Sequence, residues 1–307
     1  MRDSSRQSRY VGMVLGLPAF LWLGAFFVFP LAFIFGLSFS EKNGLINHTL
    51  TWTSDNYLVA VEPIYLTIFA KSLLIAAAAT AICLLISYPV ALAIAFSPAR
   101  FRMPLLLAIS LPFWINTLIR TYALIAVFRT RGFLNFTLES FWQFADSSLE
   151  WLGVSGGLGD AYTPLELLYT NAAVVAGIAY VFVPFMILPL YAVMERFDRS
   201  YLEASLDLGA GHWRTFWWVL LPLTMPGIIS GVIIVFVPAL GAFFIADMLG
   251  GTDSQIIGNV IERQFLSANN WPFGAALSFL LMYITFAAIA LRAVSSRRAI
   301  RRGAVIV

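Results

Sequence analysis

The sequence predicts an all-α integral membrane protein with six transmembrane helices. Its 307 residues are 60% hydrophobic and only 11% charged, a composition typical of multi-span membrane proteins rather than of soluble globular domains. Apolar segments recur along the chain, each long enough to cross roughly 30 Å of hydrocarbon at about 1.5 Å per residue. None of these segments contains Asp or Glu.

Polar connections separate the apolar segments and define where each predicted span begins and ends. The first segment is interpreted as a retained span, because it is too long for a signal peptide and lacks a small-residue cleavage site. The transmembrane domain covers residues 11–293, between tails of residues 1–10 and 294–307. The predicted spans are residues 11–38, 68–96, 104–128, 171–194, 222–246 and 273–291.

The distribution of Lys and Arg predicts the orientation. Most of these residues lie in the two tails, in the short turn 97–103 and in the connection 196–221. Because basic residues are enriched on the cytoplasmic side, both termini are expected in the cytoplasm of a bacterial cell, with the protein in its plasma membrane. The loops 39–67, 129–170 and 247–272 are then external. They are acidic, which weakly favours a cationic solute.

The connection 196–221 is polar and jointed, unlike the apolar sequence on either side. Ser200 followed by Glu203 fits a capping box, which predicts a helix start. Gly209 occupies the place of a C-terminal cap. By these features alone, an ordinary loop on the cytoplasmic membrane surface is an equal alternative.

Helical spacing predicts distinct faces on this connection. Arg199, Glu203 and Asp207 fall at i, i+4 spacing and form a charged stripe, while Leu202 and Leu206 form an apolar ridge. After a second joint at a glycine, an aromatic face suited to a bilayer interface follows. Its residues are Trp213, Phe216, Trp217 and Leu220, and Pro222 then opens the next predicted span.

The spacing of this connection resembles the EAA loop of ABC importer permeases. The family pattern is E-A-A, three residues, G, nine residues, I, one residue and L-P, and here Ser205 replaces Ala and Val219 replaces Ile. The resemblance implies a type I importer (MetI-like) fold and a coupling helix that docks on an ATP-hydrolysing subunit. The coupling residues it implies are Leu202, Glu203, Ala204, Ser205, Leu206, Asp207, Gly209 and Pro222.

Polar side chains in and after the third predicted span are candidates for a translocation pathway. In a continuous helix, Asn116 and Arg120 share one face at i, i+4. Arg120 is expected to pair with an acid or order a gate, or alternatively to snorkel to the outer surface. The full candidate set is Trp114, Asn116, Arg120, Tyr122, Asp247 and Glu262.

Three further segments resemble the permeases of spermidine/putrescine importers, and in particular the first permease of the pair. The segments are L-P-F-W-I-N-T-L-I-R-T-Y from residue 111, P-L-T-M-P-G-I-I-S-G from 222, and I-G-N-V-I-E-R-Q-F with N-N-W-P-F-G-A-A between 257 and 276. The resemblance implies alternating access for a small cationic solute. It also implies a second permease subunit, a dimeric ATPase that holds ATP and Mg²⁺, and an extracytoplasmic solute-binding protein, all working within membrane lipid.

The sequence argues against several other classes. No GxxxxGK[ST] motif is present, so this chain is expected to be a transport subunit without enzymatic activity or a cofactor of its own. A single cysteine and two distant histidines argue against a metal site or a disulfide. No nucleic-acid partner is expected.

Other functions remain open at this point. EAA-type permeases for ferric ion, thiamine or sulfate share the coupling loop, and a stand-alone channel, a secondary carrier or a membrane scaffold is a further alternative. Secondary carriers commonly rely on ionisable residues within the membrane. Since the predicted spans contain no Asp or Glu, an external energy source is favoured.

Overall fold

A computed structural model describes residues 16–44, 47–151 and 162–301 of the chain. The predicted tail of residues 1–10 lies outside the described residues. Contacts divide the chain into two compact units, one drawn from Met1–Leu66 and Val260–Ala287 and the other from Thr67–Asn259 and Ala288–Val307.

Helices and one small hairpin make up the N-terminal part. Helix α1 covers Gly16–Leu37 and includes a π-helical turn at Gly24–Val28. Strands β1 (Ser40–Asn43) and β2 (Asn47–Leu50) pair antiparallel, with Ser40 opposite Leu50. Helix α2 (Asp55–Ala60) follows the hairpin. The hairpin is a local exception to the all-α prediction, and it occupies the predicted loop 39–67.

The middle of the chain contains five helices. They are α3 (Pro63–Phe96), α4 (Ala99–Ser110) with a 3₁₀ turn at Leu111–Trp114, α5 (Thr117–Phe128), α6 (Phe133–Trp151) and α7 (Asn171–Glu195).

The remainder continues from the predicted coupling connection to the C-terminus. Its helices are α8 (Ser200–Asp207), α9 (His212–Thr215) with a π-helical turn at Phe216–Leu220, α10 (Leu221–Leu240), α11 (Phe243–Leu249) with a 3₁₀ turn at Thr252–Ser254, α12 (Ile257–Leu266) and α13 (Trp271–Arg301).

Helices occur at all six predicted span positions, but they are not all single unbroken spans. Within the described residues, four helices are long and apolar enough to cross a membrane unaided: Gly16–Leu37, Pro63–Phe96, Asn171–Glu195 and His212–Leu240. The third predicted span is a pair of segments, Ala99–Trp114 and Thr117–Leu149, bent by 92°. The sixth position holds a shorter apolar stretch, Trp271–Ala287.

The bend corrects the prediction of one continuous helix over residues 104–128. Pro112 starts a 3₁₀ turn, and Ile115 and Asn116 adopt extended backbone, which ends one helix and starts the next. The Asn116 side chain accepts a hydrogen bond from the Leu118 N–H at 2.8 Å and so caps α5. The fifth span also ends earlier than predicted, at Leu240, and α11 begins after a break.

The core of the second unit lies where α3 packs on α7 and α10. Ser87 Oγ donates to the Val183 carbonyl at 3.2 Å, one side-chain bond between α3 and α7. The hydroxyls of Tyr88 and Thr224 are hydrogen-bonded at 3.0 Å and join α3 to α10. Buried apolar side chains surround these polar contacts, so the three helices form one packed group.

Gly227 and Gly231 form a G-xxx-G spacing on α10 that allows close helix packing. A Cβ built on Gly227 would lie 3.1 Å from the Pro189 carbonyl oxygen, and one built on Gly231 would lie 2.5 Å from Met186 Sδ. Both neighbours belong to α7. The two glycines therefore allow the backbones of α7 and α10 to approach closely, as small residues do at membrane helix interfaces.

Replacing Gly231 by leucine should separate α7 from α10 and lower the yield of folded protein. The new side chain would meet Met186, which is fully buried, and overpacking of this kind costs about 1–3 kcal/mol. Thermal unfolding in detergent measures the effect. Gly241→Ala is the control, since the nearest atom to its added Cβ is 3.8 Å away and its stability should be almost unchanged.

Candidate functional site

The N-terminus of α8 is capped differently from the sequence prediction. The helix does begin at Ser200, but Ser200 does not act as its cap. The Asp198 carboxylate accepts a hydrogen bond from the Ser200 N–H at 3.0 Å, and the residue at the cap position, Arg199, makes no side-chain cap bond. The capping box of Ser200 and Glu203 is therefore wrong, because an acid two residues earlier takes the first free N–H.

The Asp198 cap on α8 is ionised near neutral pH. The hydrogen bond from the Ser200 N–H lowers the pKa of the Asp198 carboxyl. A carboxyl with a lowered pKa stabilises the folded state above its unfolded pKa of about 3.9, and that contribution is lost as the pH falls through the lowered value. The start of α8 is therefore insensitive to pH near neutrality.

The C-terminus of α8 is a Schellman motif built on Gly209, as the sequence predicted. Gly209 has a φ of 82°, in the left-handed region. Its N–H donates to the Leu206 carbonyl at 2.9 Å, and the Ala210 N–H donates to the Ser205 carbonyl at 3.1 Å. No atom lies within 4 Å of a Cβ built at this glycine. Backbone conformation alone therefore requires glycine here.

A hydrogen bond joins α8 to α9 across the joint. The hydroxyls of Ser205 and Thr215 lie 3.0 Å apart, and Thr215 is buried. Ser205 is the position at which this sequence departs from the family's E-A-A pattern. The departure adds a hydrogen bond between α8 and α9.

Replacing Ser205 by alanine should loosen this joint slightly. A neutral hydrogen bond contributes about 0.5–1.5 kcal/mol to stability, and the buried Thr215 hydroxyl would lose its partner on α8. The midpoint of thermal unfolding in detergent should fall modestly. Ser205→Ala and Thr215→Val combined should cost less than the sum of the two single changes; additive losses would contradict a direct bond.

Arg199 attaches the coupling connection to the end of α3. Its Nη2 donates to the Ala95 carbonyl at 3.3 Å, and its guanidinium lies 4.6 Å from the centre of the Phe96 ring. Arg199 therefore does not form a charged stripe with Glu203 and Asp207 as predicted, because its side chain contacts the end of α3. Glu203 and Asp207 remain exposed on α8.

The exposed apolar surface of the connection differs from the predicted Leu202 and Leu206 ridge. Leu202 is half-buried, whereas Leu206 is 39% and Leu208 is 89% exposed. Ala204 is exposed one turn before Leu208. Sequence reasoning missed Leu208, although its i, i+4 spacing from Ala204 was visible.

The predicted aromatic face is only partly exposed, because some of its side chains pack against the rest of the protein. Trp213 and Trp217 are exposed, while the Phe216 ring packs 5.8 Å from that of Tyr88 on α3. Pro222 lies within a helix that is continuous from His212 to Leu240, so the span begins before the predicted proline start. The aromatic exposure suits a membrane interface.

The pathway candidates of the third span do not form a single stripe. Trp114 is 82% exposed, and Asn116 and Tyr122 are also exposed, but Arg120 is only 7% exposed. The expectation that Asn116 and Arg120 share a helical face is wrong, because Asn116 lies outside α5 as its N-cap.

Arg120 is a buried cation with unmatched donors. Its Nη2 donates to Thr117 Oγ1 at 3.1 Å. Its Nε and Nη1 are buried and have no hydrogen-bond partner among the residues that the structure describes. The expected hydrogen-bonded pair with an acid is therefore not formed in this conformation, and simple snorkelling is inconsistent with the burial.

A set of buried polar side chains orders the chain after α10. Asn259 Nδ2 donates to the Phe243 carbonyl at 3.0 Å, and its Oδ1 accepts from the Ile256 N–H at 3.2 Å. The Ile257 N–H donates to Ser72 Oγ at 2.7 Å. These bonds hold the I-G-N segment against α3 and α11. Sequence reasoning identified the segment but not its positioning role.

The two acidic candidates occupy different surroundings. Asp247 is exposed on α11, a helix that packs against α5 and α7. Glu262 is half-buried on α12. Within the described ranges, no group of three or more His, Cys, Asp or Glu side chains is placed to hold a metal ion.

A known transport family matches most of the chain. Residues 87–301 match the family described as binding-protein-dependent transport system inner membrane component. The chain belongs to this family. It is therefore a transport permease of an inner membrane, and the matched range contains the coupling connection and the broken third span.

Relatives and solved structures agree with this assignment. The permease is 40% identical over 263 residues to the spermidine/putrescine transport system permease protein PotB of Escherichia coli K12, covering 86% of this chain and 90% of the relative. PotB of Haemophilus influenzae is 39% identical over 259 residues, covering 84% and 85%.

The fold also matches a chain of a bacterial ABC transporter involved in the import of the acidic polysaccharide alginate. The TM-score is 0.68 at 16% identity, covering 97% of the permease and 99% of that chain. At this identity the likeness concerns the fold alone. The predicted ABC importer permease fold is confirmed.

Proposed function

We propose that this permease carries polyamines such as spermidine and putrescine across the inner membrane. The observation that carries the proposal is the 40% identity to a spermidine/putrescine permease over 86% of the chain. This similarity covers the segments around the third span and after the fifth span. Both are regions in which permeases for different solutes are expected to differ.

In this proposal the energy comes from a separate ATPase dimer that binds ATP and Mg²⁺. The exposed face of α8, with Glu203, Ala204, Asp207 and Leu208, docks on that dimer from the cytoplasmic side. The Gly209 motif and the Arg199 contact to α3 make the connection rigid enough to transmit a movement. Both termini lie in the cytoplasm, a second permease completes the pathway, and an extracytoplasmic binding protein delivers the solute.

The exposed groups at the break in the third span suit an amine. Trp114 and Tyr122 offer aromatic faces, and a cation over such a face gains about 0.5–2 kcal/mol. Asn116 adds a polar side chain beside them. Because Arg120 is withdrawn from this surface, its charge is kept away from a passing polycation. Binding in the pathway is weak, which allows release.

Selectivity in this proposal comes mainly from the binding protein, while Asp247 and Glu262 guide the cation at the external mouth. Asp247 is exposed and Glu262 is half-buried, so Asp247 carries the larger part of this role. The double variant Asp247→Asn and Glu262→Gln should lower uptake at low ionic strength more than at high ionic strength. Unchanged uptake at both would remove these two acids from the proposal.

Uptake by the assembled transporter tests the function. Both permeases, the ATPase and the binding protein are reconstituted in liposomes with internal ATP and Mg²⁺, and labelled spermidine, putrescine, ferric ion, thiamine and sulfate are offered in turn. ATP-dependent uptake of a polyamine alone is expected. Uptake of another of these solutes would favour that alternative, and uptake by this chain without the ATPase would indicate a channel or carrier.

Thiol labelling tests the pathway residues separately. In a variant that lacks Cys83, cysteine at position 114 or 116 should react with a water-soluble maleimide in at least one nucleotide state, because both positions are exposed. Cysteine at the buried position 121 is the matched control and should react far more slowly. Equal protection of all three positions in every state would mean that this surface packs against protein or lipid.

A further inference from the structure

Helix α6 lies within residues 129–170, which the sequence predicts to be an external loop. The helical segment Thr117–Leu149 that contains it is bent by 92° from the segment Ala99–Trp114. If Ala99–Trp114 is directed across the membrane, the right-angled segment Thr117–Leu149, which contains both α5 and α6, runs close to the membrane plane.

One face of α6 carries four exposed phenylalanines. Phe133, Phe136, Phe141 and Phe144 are between 65% and 71% exposed. At about 3.6 residues per turn these four side chains fall within an arc of roughly 140°. The arc also holds small exposed hydroxyl side chains, those of Thr137, Ser140 and Ser147, but no charged residue of the helix. Four large exposed rings on one face favour contact with a partner or an apolar phase.

The opposite face of α6 is hydrogen-bonded to residues 162–165, and these bonds determine which way the phenylalanine face points. Asn135 is buried, and its Nδ2 donates to the carbonyls of Leu165, at 2.9 Å, and Arg129, at 3.3 Å. Its Oδ1 accepts from the Tyr162 hydroxyl at 2.9 Å and the Leu165 N–H at 2.8 Å. The amide thus uses both donors and both lone pairs.

A second contact on the tied face supports the same orientation. The rings of Trp142 and Tyr162 have their centres 6.4 Å apart, and Trp142 lies on the Asn135 side of the helix. Residues 162–165 therefore cover one side of α6, and the phenylalanine face points away from them. The helix cannot roll without breaking the Asn135 bonds.

We propose that α6 lies in the lipid–water interface of the outer leaflet, with its phenylalanine face against the acyl chains. Leu118 and Ile119 of α5, which belong to the same segment Thr117–Leu149, are also exposed. Glu139 is exposed about 60° beyond the edge of the phenylalanine arc, where it can stay in water. An amphipathic helix with aromatic residues on its apolar face is suited to this position.

The charges around the helix agree with a lipid partner. Arg129 and Arg131 are exposed immediately before α6, at the end where lipid phosphates would be reached, and the helix itself contains no Lys or Arg. This arrangement anchors the start of the helix to headgroups while its phenylalanine face enters the acyl boundary.

Spin labels at positions on the two faces test the proposal. Single cysteines replace Phe141, Phe144 or Glu139 in a Cys83→Ala background, and the assembled transporter is placed in nanodiscs of phosphatidylcholine and phosphatidylglycerol. Labels at 141 and 144 should collide more with oxygen, and a label at 139 more with a water-soluble nickel chelate. Relative accessibility should differ at least threefold between the faces.

Two results would overturn the proposal. Nickel accessibility at 141 and 144 equal to that at 139 would place the phenylalanine face in water. Labels at 141 and 144 that are protected from both reagents would place it against protein. If that protection appears only after the solute-binding protein is added, the face is its docking surface. None of these results depends on which solute is transported.

A variant of the tied face tests the orientation argument. Asn135→Ala removes the amide bonds, so the helix should roll and the accessibility difference between the two faces should shrink by half or more. Thr137→Ala is the matched control on the same helix, because its hydroxyl bonds only locally to the Leu134 carbonyl. An unchanged difference in Asn135→Ala would contradict the claim that these bonds direct the phenylalanine face.

Discussion

Valine at position 209 is expected to lower transport at least about tenfold, which corresponds to about 1.4 kcal/mol. Gly209 has a φ of 82° and donates one bond of the motif that ends α8. A side chain with a Cβ costs about 1–2 kcal/mol in this left-handed region, and a β-branched one is least suited to it. The end of α8 should then unwind or tilt. Solute-stimulated ATPase activity and uptake by the assembled transporter measure the loss.

Two controls separate backbone conformation from bulk. A Cβ would meet no atom within 4 Å at Gly209 or at Gly211, so neither site is crowded. Gly211 has a φ of −70° and a ψ of 158°, which any residue can adopt. Gly211→Val should therefore keep most of the activity, and so should Gly209→Asn, because asparagine tolerates the left-handed region. Equal losses in Gly209→Val and Gly211→Val would contradict the conformational explanation.

Features set by local spacing were predictable from the sequence. Gly209 ends α8 because a polar helix needs a left-handed residue at that offset, and Gly227 and Gly231 mark the contact of α10 with α7. In each case the signal is a glycine at a defined distance from its neighbours. Such glycines can be interpreted from the sequence alone, without knowledge of the rest of the fold.

Some helix breaks and helices had local sequence signals that were given less weight than the mean hydropathy or length of the segment. Pro112 and Asn116 together mark the end of one helix and the cap of the next, yet the hydropathy of residues 104–128 suggested a single span. The phenylalanines of α6 recur at helical spacing within a segment that length and acidity suggested was a loop. In both cases the turn and period signals were better guides than mean hydropathy.

Other features depend on contacts between distant segments and have no local signature. Arg199 binds the carbonyl of Ala95, and Asn135 binds residues 162–165. Neither partner follows from the spacing of residues in the sequence. The burial of Arg120 is of the same kind, since it depends on how α7 and α11 pack around α5.

Methionine at position 120 is expected to raise stability while lowering transport. In this conformation, Nε and Nη1 of Arg120 are buried without a partner among the described residues. An unsatisfied buried group costs about 1–3 kcal/mol, and more when it is charged, so an apolar side chain of similar length should relieve that cost. Thermal unfolding in detergent should shift upward by about 2 °C or more.

The loss of transport in Arg120→Met should be on the order of tenfold, since a costly buried cation in a membrane helix is expected to act in another state of the cycle. In that state the guanidinium would find an acceptor, which a methionine cannot bind. Thr121→Val is the matched control, because the Thr121 hydroxyl is buried and satisfied by the Thr117 carbonyl at 2.8 Å. It should lose about 1 kcal/mol of stability and keep its transport. A lower unfolding temperature in Arg120→Met would mean that the guanidinium is already satisfied, and undiminished transport would assign Arg120 to packing alone.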